Sequence, residues 1–254
     1  MQVFDMSWPE YADRITTGPV VIPIGAIEPH GPHLPLSTDT LVSEFFATRV
    51  ANTFRGCVLP SITYGAITPT IRTGGEFPGI VGIGAATFMN QIVELLTALY
   101  RDGARDFILI NSHIANVSFL SESIRLFRLA SPETRVMLVH WWDVVTEETR
   151  DELAAEHGVP RDVDHHAAMV ETSLVMYMRP ELVKTELLAD DPSERRVRYL
   201  FSPQPAAVGN KSGIIFNATK ASAEIGERVA LESLKIMLDA VELEFGTTWN
   251  KDDE

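Results

Sequence analysis

Apolar residues in this chain fall into two alternating rhythms, short unbroken runs and helical stripes. The runs at 19–27 (PVVIPIGAI), 57–62, 106–111 (DFILIN) and 135–142 (RVMLVHWW) predict buried strands. Between them, 38–54 predicts a helix with Leu41, Phe45 and Phe46 on one face. The stripe Phe88, Ile92, Leu95, Leu96 and Leu99 predicts a helix over 85–102, stopped by Gly103. Further helices are expected at 117–129, at 146–157 before Gly158, at 166–177 and at 222–245. Strands alternating with helices of this length imply an α/β fold, a three-layer αβα sandwich with a mostly parallel central sheet. Two segments break the rhythm. Residues 64–84, rich in Gly, Thr and Pro, read as a long functional loop, and 190–211 as a flap or intersubunit segment.

Composition narrows the classes. A chain of 254 residues suits one large α/β domain over 1–254. Its 35 Asp and Glu against 21 Lys and Arg leave a net charge of −14, which repels phosphate backbones and disfavours nucleic acid. The lone Cys57 excludes an intramolecular disulfide framework and a cysteine-rich zinc site. The start, MQVFDMSWPEYADRI, lacks the basic-then-apolar pattern of a signal peptide, and no apolar run reaches about 18 residues. A soluble, cytoplasmic protein with no membrane partner is expected. No glycine-rich nucleotide turn follows the first strand and no G-x-S-x-G elbow occurs, which counts against a dehydrogenase and a serine hydrolase.

Three segments carry candidate chemistry. Glu28-Pro29-His30 stands at the carboxyl end of the first strand, where open α/β sheets place their ligands, with Asp39 at the start of the next helix. Carboxylate and imidazole two apart suit a divalent transition metal; equally, His30 reads as a loop histidine and Asp39 as a helix cap. Asn111-Ser112-His113 ends an apolar strand in polar residues, so His113 either joins the same crevice or caps the following helix. The third is Asp164-His165-His166 with Glu171. On a straight helix His166 and Glu171 stand about 140° apart, so sharing one site requires His166 to precede the helix. Glu171, among Met169, Val170 and Leu174, needs a partner. Five of the seven histidines (His30, His33, His113, His165, His166) fall in these segments, which favours a metal site.

Taken together, the segments resemble the creatininase (creatinine amidohydrolase) family. The match runs through Pro23-Ile24-Gly25-Ala26-Ile27-Glu28-Pro29-His30-Gly31-Pro32-His33-Leu34-Pro35-Leu36-Ser37-Thr38-Asp39, similar to the signature P-x-G-(S/A)-x-E-x-H-G-P-H-L-P-L-x-T-D. Phe77-Pro78-Gly79 resembles the family's FPG loop, Asn111 to Asn116 its N-G-H-x-x-N, and His166 to Ser173 its H-A-G-x-x-E-T-S. The resemblance implies a binuclear metal hydrolase, often hexameric, so a homo-oligomer is expected. Glu28, His30, Asp39 and His113 then match metal ligands, with Asp39 as the bridge. Creatinine hydrolases carry a further ligand, a Glu, where this chain has Ala115; the resemblance implies Glu171 in its stead. His166 matches a histidine placed for proton transfer.

Two divalent ions are thereby implied, zinc first, with manganese or iron(II) as options. The expected reaction is attack of a metal-activated hydroxide on a carbonyl of a small, cyclic amide-type substrate, with His166 donating a proton to the leaving group. Arg72 and Glu76 are candidates for substrate contact, or else an ordinary surface ion pair; Trp141 or Trp142 is a candidate pocket wall. Ser112 in place of glycine, the apolar Ile114-Ala115 and the absence of a histidine three residues before Phe77 count against creatinine itself. Two other readings share these residues: C–C cleavage of a cyclic polyol ketone in sugar or inositol breakdown, and a non-catalytic metal-binding assembly subunit.

Overall fold

The structure is a computed structural model that describes residues 1–67, 77–161, 164–191, 212–214 and 216–246. Arg72, Glu76 and most of the 190–211 segment lie outside the described residues.

Four parallel strands form the central sheet: β1 (Val20–Ile24), β2 (Cys57–Val58), β3 (Asp106–Asn111) and β4 (Arg135–His140), in the order β2-β1-β3-β4. Helices α1 (Trp8–Thr17), α3 (Ala85–Arg101) and α4 (Val117–Ala130) cover one face. Helices α2 (Thr38–Thr53), α5 (Glu147–His157), α6 (Met169–Met178) and α7 (Ala223–Phe245) cover the other. The period of two along the strands sorts side chains between the layers. Ile22, Phe107 and Leu109 enter the α1/α3/α4 core, whereas Val21, Ile108 and Ile110 enter the α2/α6/α7 core. Burying each such large aliphatic or aromatic side chain contributes about 1.5–3 kcal/mol.

The topology places the crevice. The chain leaves β1 through α2 to β2 on one side, then reaches β3 on the other side of β1 through α3. Loops following β1 and β3 therefore diverge, opening a cleft at the carboxyl ends of these adjacent strands. Pro23 sits inside β1 with no N–H to give. On the β2 side the ladder runs Leu59 N–H to Val21 O, Ile62 N–H to Pro23 O and Gly25 N–H to Ile62 O. β2 ends at Val58 and pairing resumes only at the Ile24–Ile62 bridge, so the missing donor falls where the ladder is already interrupted. The same interruption reduces the expected strand 57–62 to two residues and a bridge.

Other differences are local. The face of α2 that is fully buried is Val42, Phe46 and Val50, four apart, with Leu41 and Phe45 half-buried beside it. β4 stops at His140, and Trp141–Val144 form a 3-10 turn rather than the strand's end. α6 starts at Met169, three residues after His166. Helix α1, which the apolar pattern does not announce, begins in a capping box in which Glu10 accepts from the Ser7 N–H at 2.7 Å. Among the described residues no helix is long and apolar enough to cross a membrane.

Candidate metal centre

The loop after β1 is built for rigidity. Pro29, Pro32 and Pro35 restrict it, Gly31 supplies a turn at φ +68°, and Glu28 N–H closes it onto Leu36 O at 3.1 Å. Glu28 and His30 hang from this loop and Asp39 from the first turn of α2; all three are buried. His113 follows β3 and meets Glu28 with Nδ1 at 3.1 Å from Oε1. Glu171 stands in the first turn of α6 and reaches His30, Oε2 to Nε2 3.7 Å.

Asp39 joins the two halves. Its Oδ1 lies 3.1 Å from His30 Nε2 and its Oδ2 lies 3.0 Å from His113 Nδ1. Two triads that share Asp39 result, Glu28–Asp39–His113 and His30–Asp39–Glu171, the ligand atoms in each within 4.8 Å of one another; Glu28, His30 and His166 form a third such group. Three protein donors per triad is the number found in catalytic metal sites, which keep a position open. The imidazole of His30 is oriented as in such sites: Nδ1–H donates to Glu28 O at 3.0 Å, which turns Nε2 toward the carboxylates. The donors present therefore fit divalent metal ions.

Electrostatics agree. Burial alone would raise the carboxyls and lower the imidazoles. For His113 the hydrogen bonds and charges of Asp39 and Glu28 overcome burial and carry its pKa to about 10. For His30 the charges of Glu171 and Asp39 overcome burial, leaving it well above the ordinary range. Burial of Glu28 is outweighed by the hydrogen bond from His113, and that of Asp39 by the charge of His30 and the bonds from both histidines, so both carboxyls lie low.

His166 precedes α6, as sharing a site with Glu171 requires. Its ring is tilted 39° to that of His30 with centroids 4.2 Å apart, and its Nδ1 lies 3.7 Å from Glu28 Oε1. Its Nε2 is 2.7 Å from Pro29 O, so that nitrogen carries the proton. Trp141 packs against the α2/α6/α7 core, with no hydrogen-bond partner for its buried Nε1 among the described residues.

The N-G-H-x-x-N motif contains Asn111 and Asn116 without giving them a role, and the structure shows that they aim His113. Asn111 brackets the backbone of His113, accepting its N–H at 3.2 Å on Oδ1 and donating from Nδ2 to its carbonyl at 2.9 Å. Asn116 donates to Asn111 Oδ1 at 3.1 Å and to Gly25 O at 3.1 Å, tying the β3 loop to the end of β1. Nδ2 of Asn111 also donates to His140 Nδ1 at 3.0 Å. The available signal was the polar residue ending each of two paired strands, since Asn111 and His140 share one register position.

Known proteins arrange themselves around the same features. The chain is 30% identical to creatinine amidohydrolase of Pseudomonas putida over 97% of its length and 98% of that protein. It is 31% identical to the mycofactocin precursor peptide peptidase of Mycolicibacterium smegmatis over 87% of its length and 83% of that protein. Two solved creatininase structures, a variant of Zn–Zn type and a Mn form, superpose with TM-scores of 0.89 and 0.88. Each is 28% identical and matched over 96% of this chain and 98% of theirs. With a family match that extends over residues 4–241, described as creatinine amidohydrolase, this chain belongs to the creatininase family.

Proposed function

We propose that the two triads hold two divalent ions with Asp39 shared between them, and that the chain uses them to hydrolyse a C–N bond in a small amide-type substrate. One observation carries this reading: the two oxygens of a single buried carboxylate face two different histidines, each in its own triad. Such ions supply Lewis acidity, polarising a carbonyl oxygen and bringing the pKa of water toward neutrality. Zinc is the first ion to test, and manganese or iron(II) suit the same donors. Ring-opening of a polyol ketone is not favoured, because the two curated relatives named above act on C–N bonds. A purely structural role is not favoured either, because both triads are complete.

The protein's own groups then divide the work. His30 and His113 would hold an ion as neutral imidazoles, so loading would displace the protons that the carboxylates hold on them. His166 keeps Nε2–H on Pro29 O and presents Nδ1 to the reacting centre. That nitrogen takes the proton of the attacking water and returns it to the departing nitrogen. Arg72 and Glu76 remain our candidates for substrate contact, and Trp141 for a pocket wall through its unpartnered indole N–H. We also propose that residues 1–254 act as one domain and assemble as a cytoplasmic homo-oligomer. The aromatics Phe4 and Trp8, 79% and 81% exposed, support assembly. Light scattering at micromolar concentration reads the assembly directly.

Glu28→Gln tests the site. It should lose one of the two ions and lower kcat/KM about a thousandfold, the equivalent of ~4 kcal/mol of transition-state stabilisation, with an unchanged circular dichroism spectrum. Full activity despite the loss of that ion would sink the mechanism. Acid–base linkage provides a second test, on the metal-free protein. The folded pKa of His113 is raised to about 10, so its contribution to stability is complete below the ordinary value near 6.5 and lost as pH rises through 10. Melting temperature after chelation should therefore fall steadily from pH 7 to pH 10, and zinc should flatten the fall. A flat profile for the metal-free protein would contradict the assignment.

A further inference from the structure

We infer that Thr172 and His33 are positioning residues that set the orientation of His166 by locking the left-handed turn at Ala167. Ala167 is buried and has φ +53°. A non-glycine residue is strained there and persists only where its surroundings over-determine it. Here both polar groups of its backbone are held by side chains from the first turn of α6. Glu171 Oε2 accepts its N–H at 2.6 Å, and the Thr172 hydroxyl lies 3.2 Å from its carbonyl. Asp164 braces the same turn from outside, accepting the Val170 N–H at 3.2 Å.

Proton counting extends the lock to His33. A threonine hydroxyl has one proton, and if Ala167 O receives it, the hydroxyl oxygen is left as an acceptor. The nitrogen facing it is His33 Nε2, at 2.8 Å. His33 is fully buried, and burial lowers its pKa to about 4, so at neutral pH it has one N–H to give. That N–H belongs on Nε2. The result is a directed series, His33 Nε2–H to Thr172 Oγ1, then Thr172 O–H to Ala167 O, between residues 139 apart in sequence.

His166 is the residue next to this turn, and its ring is held at its far end by Pro29 O at 2.7 Å. If the hydroxyl is deleted, Ala167 is free to leave the left-handed region, and the ring swings away from Pro29 O. The preference for the Nε2–H tautomer goes with that contact. This inference rests on the proposed hydrolase only for the meaning of the His166 proton; the link from Thr172 to the tautomer stands on geometry.

Long-range proton–nitrogen NMR of histidine-labelled protein at pH 8, with and without zinc, tests it, His166→Gln assigning the signal. The wild type should show His166 as one Nε2–H tautomer. Thr172→Val should give a mixture of tautomers and lower kcat about ten- to a hundredfold, with KM and zinc content near the wild type, and Thr172→Ser should restore both. An unchanged tautomer in Thr172→Val, or no rescue by serine, overturns the inference. If Thr172→Val does not fold, His33→Leu against His33→Gln puts the same question: leucine should scramble the tautomer and glutamine, which keeps a donor, should not. Equal behaviour of the two overturns it. A tautomer that responds in a protein without zinc-dependent amide hydrolysis upholds the link and sinks the hydrolase reading. An unresponsive tautomer in an active zinc enzyme does the reverse.

Discussion

Asp39→Asn should abolish binding of both ions at once and reduce hydrolysis by at least a thousandfold, about 4 kcal/mol in the barrier. The reason lies in the division of its two oxygens between His30 and His113. A carboxamide has one oxygen lone-pair centre and one NH2 group, so one triad meets a donor where it needs an acceptor. Glu28→Gln touches only one of the two triads that Asp39 joins, so the two variants separate by stoichiometry: elemental analysis should find near zero ions in Asp39→Asn and one in Glu28→Gln. Two ions in Asp39→Asn would show that the carboxylate does not serve both halves. In the metal-free state the same change removes the shared partner of two buried imidazoliums, a class of loss that costs about 3–5 kcal/mol. A drop in melting temperature before any metal is added should accompany the loss of metal.

The second large effect is expected at a helix crossing beside the site, at a residue that is no proposed ligand. Helices α6 and α7 cross so closely at Gly226 that a Cβ there would sit 1.9 Å from Ser173 O and 2.4 Å from its carbonyl carbon. Backbone cannot rotate aside as a side chain can. Gly226→Ala should therefore cost at least the upper end of the usual 1–3 kcal/mol for overpacking, roughly 6–12 °C in melting temperature for a chain this long. Because α6 carries Glu171 and the turn of His166, metal affinity should fall with stability. Gly84→Ala is the control: nothing lies within 4 Å of a Cβ there, and the melting temperature should stay within a degree or two. Equal melting of the two variants would mean that α6 and α7 have room to part.

What could be read from residues alone follows from how local each signal is. Strand β3 has the bounds that its apolar run marks, because DFILIN is bordered by polar residues on both sides. The proposed ligands were legible because motif order brought them out together. Other features depend on what a periodicity cannot register. α6 starts at Met169 and not at His166 because a buried alanine adopts φ +53°, where the pattern of apolar residues continues unbroken. The run RVMLVHWW looks like strand throughout, although its last two residues turn into a 3-10 helix. Helix α1 is announced only by the capping box of Ser7 and Glu10, because its apolar content is slight. The pairing of His33 with Thr172 is a product of the closed fold, and nothing in either segment announces it.

Neither triad is complete within one stretch of chain. Glu28 and Asp39 are near neighbours but wait for His113, beyond β3, and His30 and Asp39 wait for Glu171 on α6. An ion in solution finds no full set of donors on the unfolded polypeptide, unlike a zinc finger, whose metal gathers the chain around itself. Maturation therefore has a fixed order in which folding comes first and loading second. A purified, chelated protein should remain native and regain its ions by dialysis, and refolding from denaturant should need no metal in the buffer.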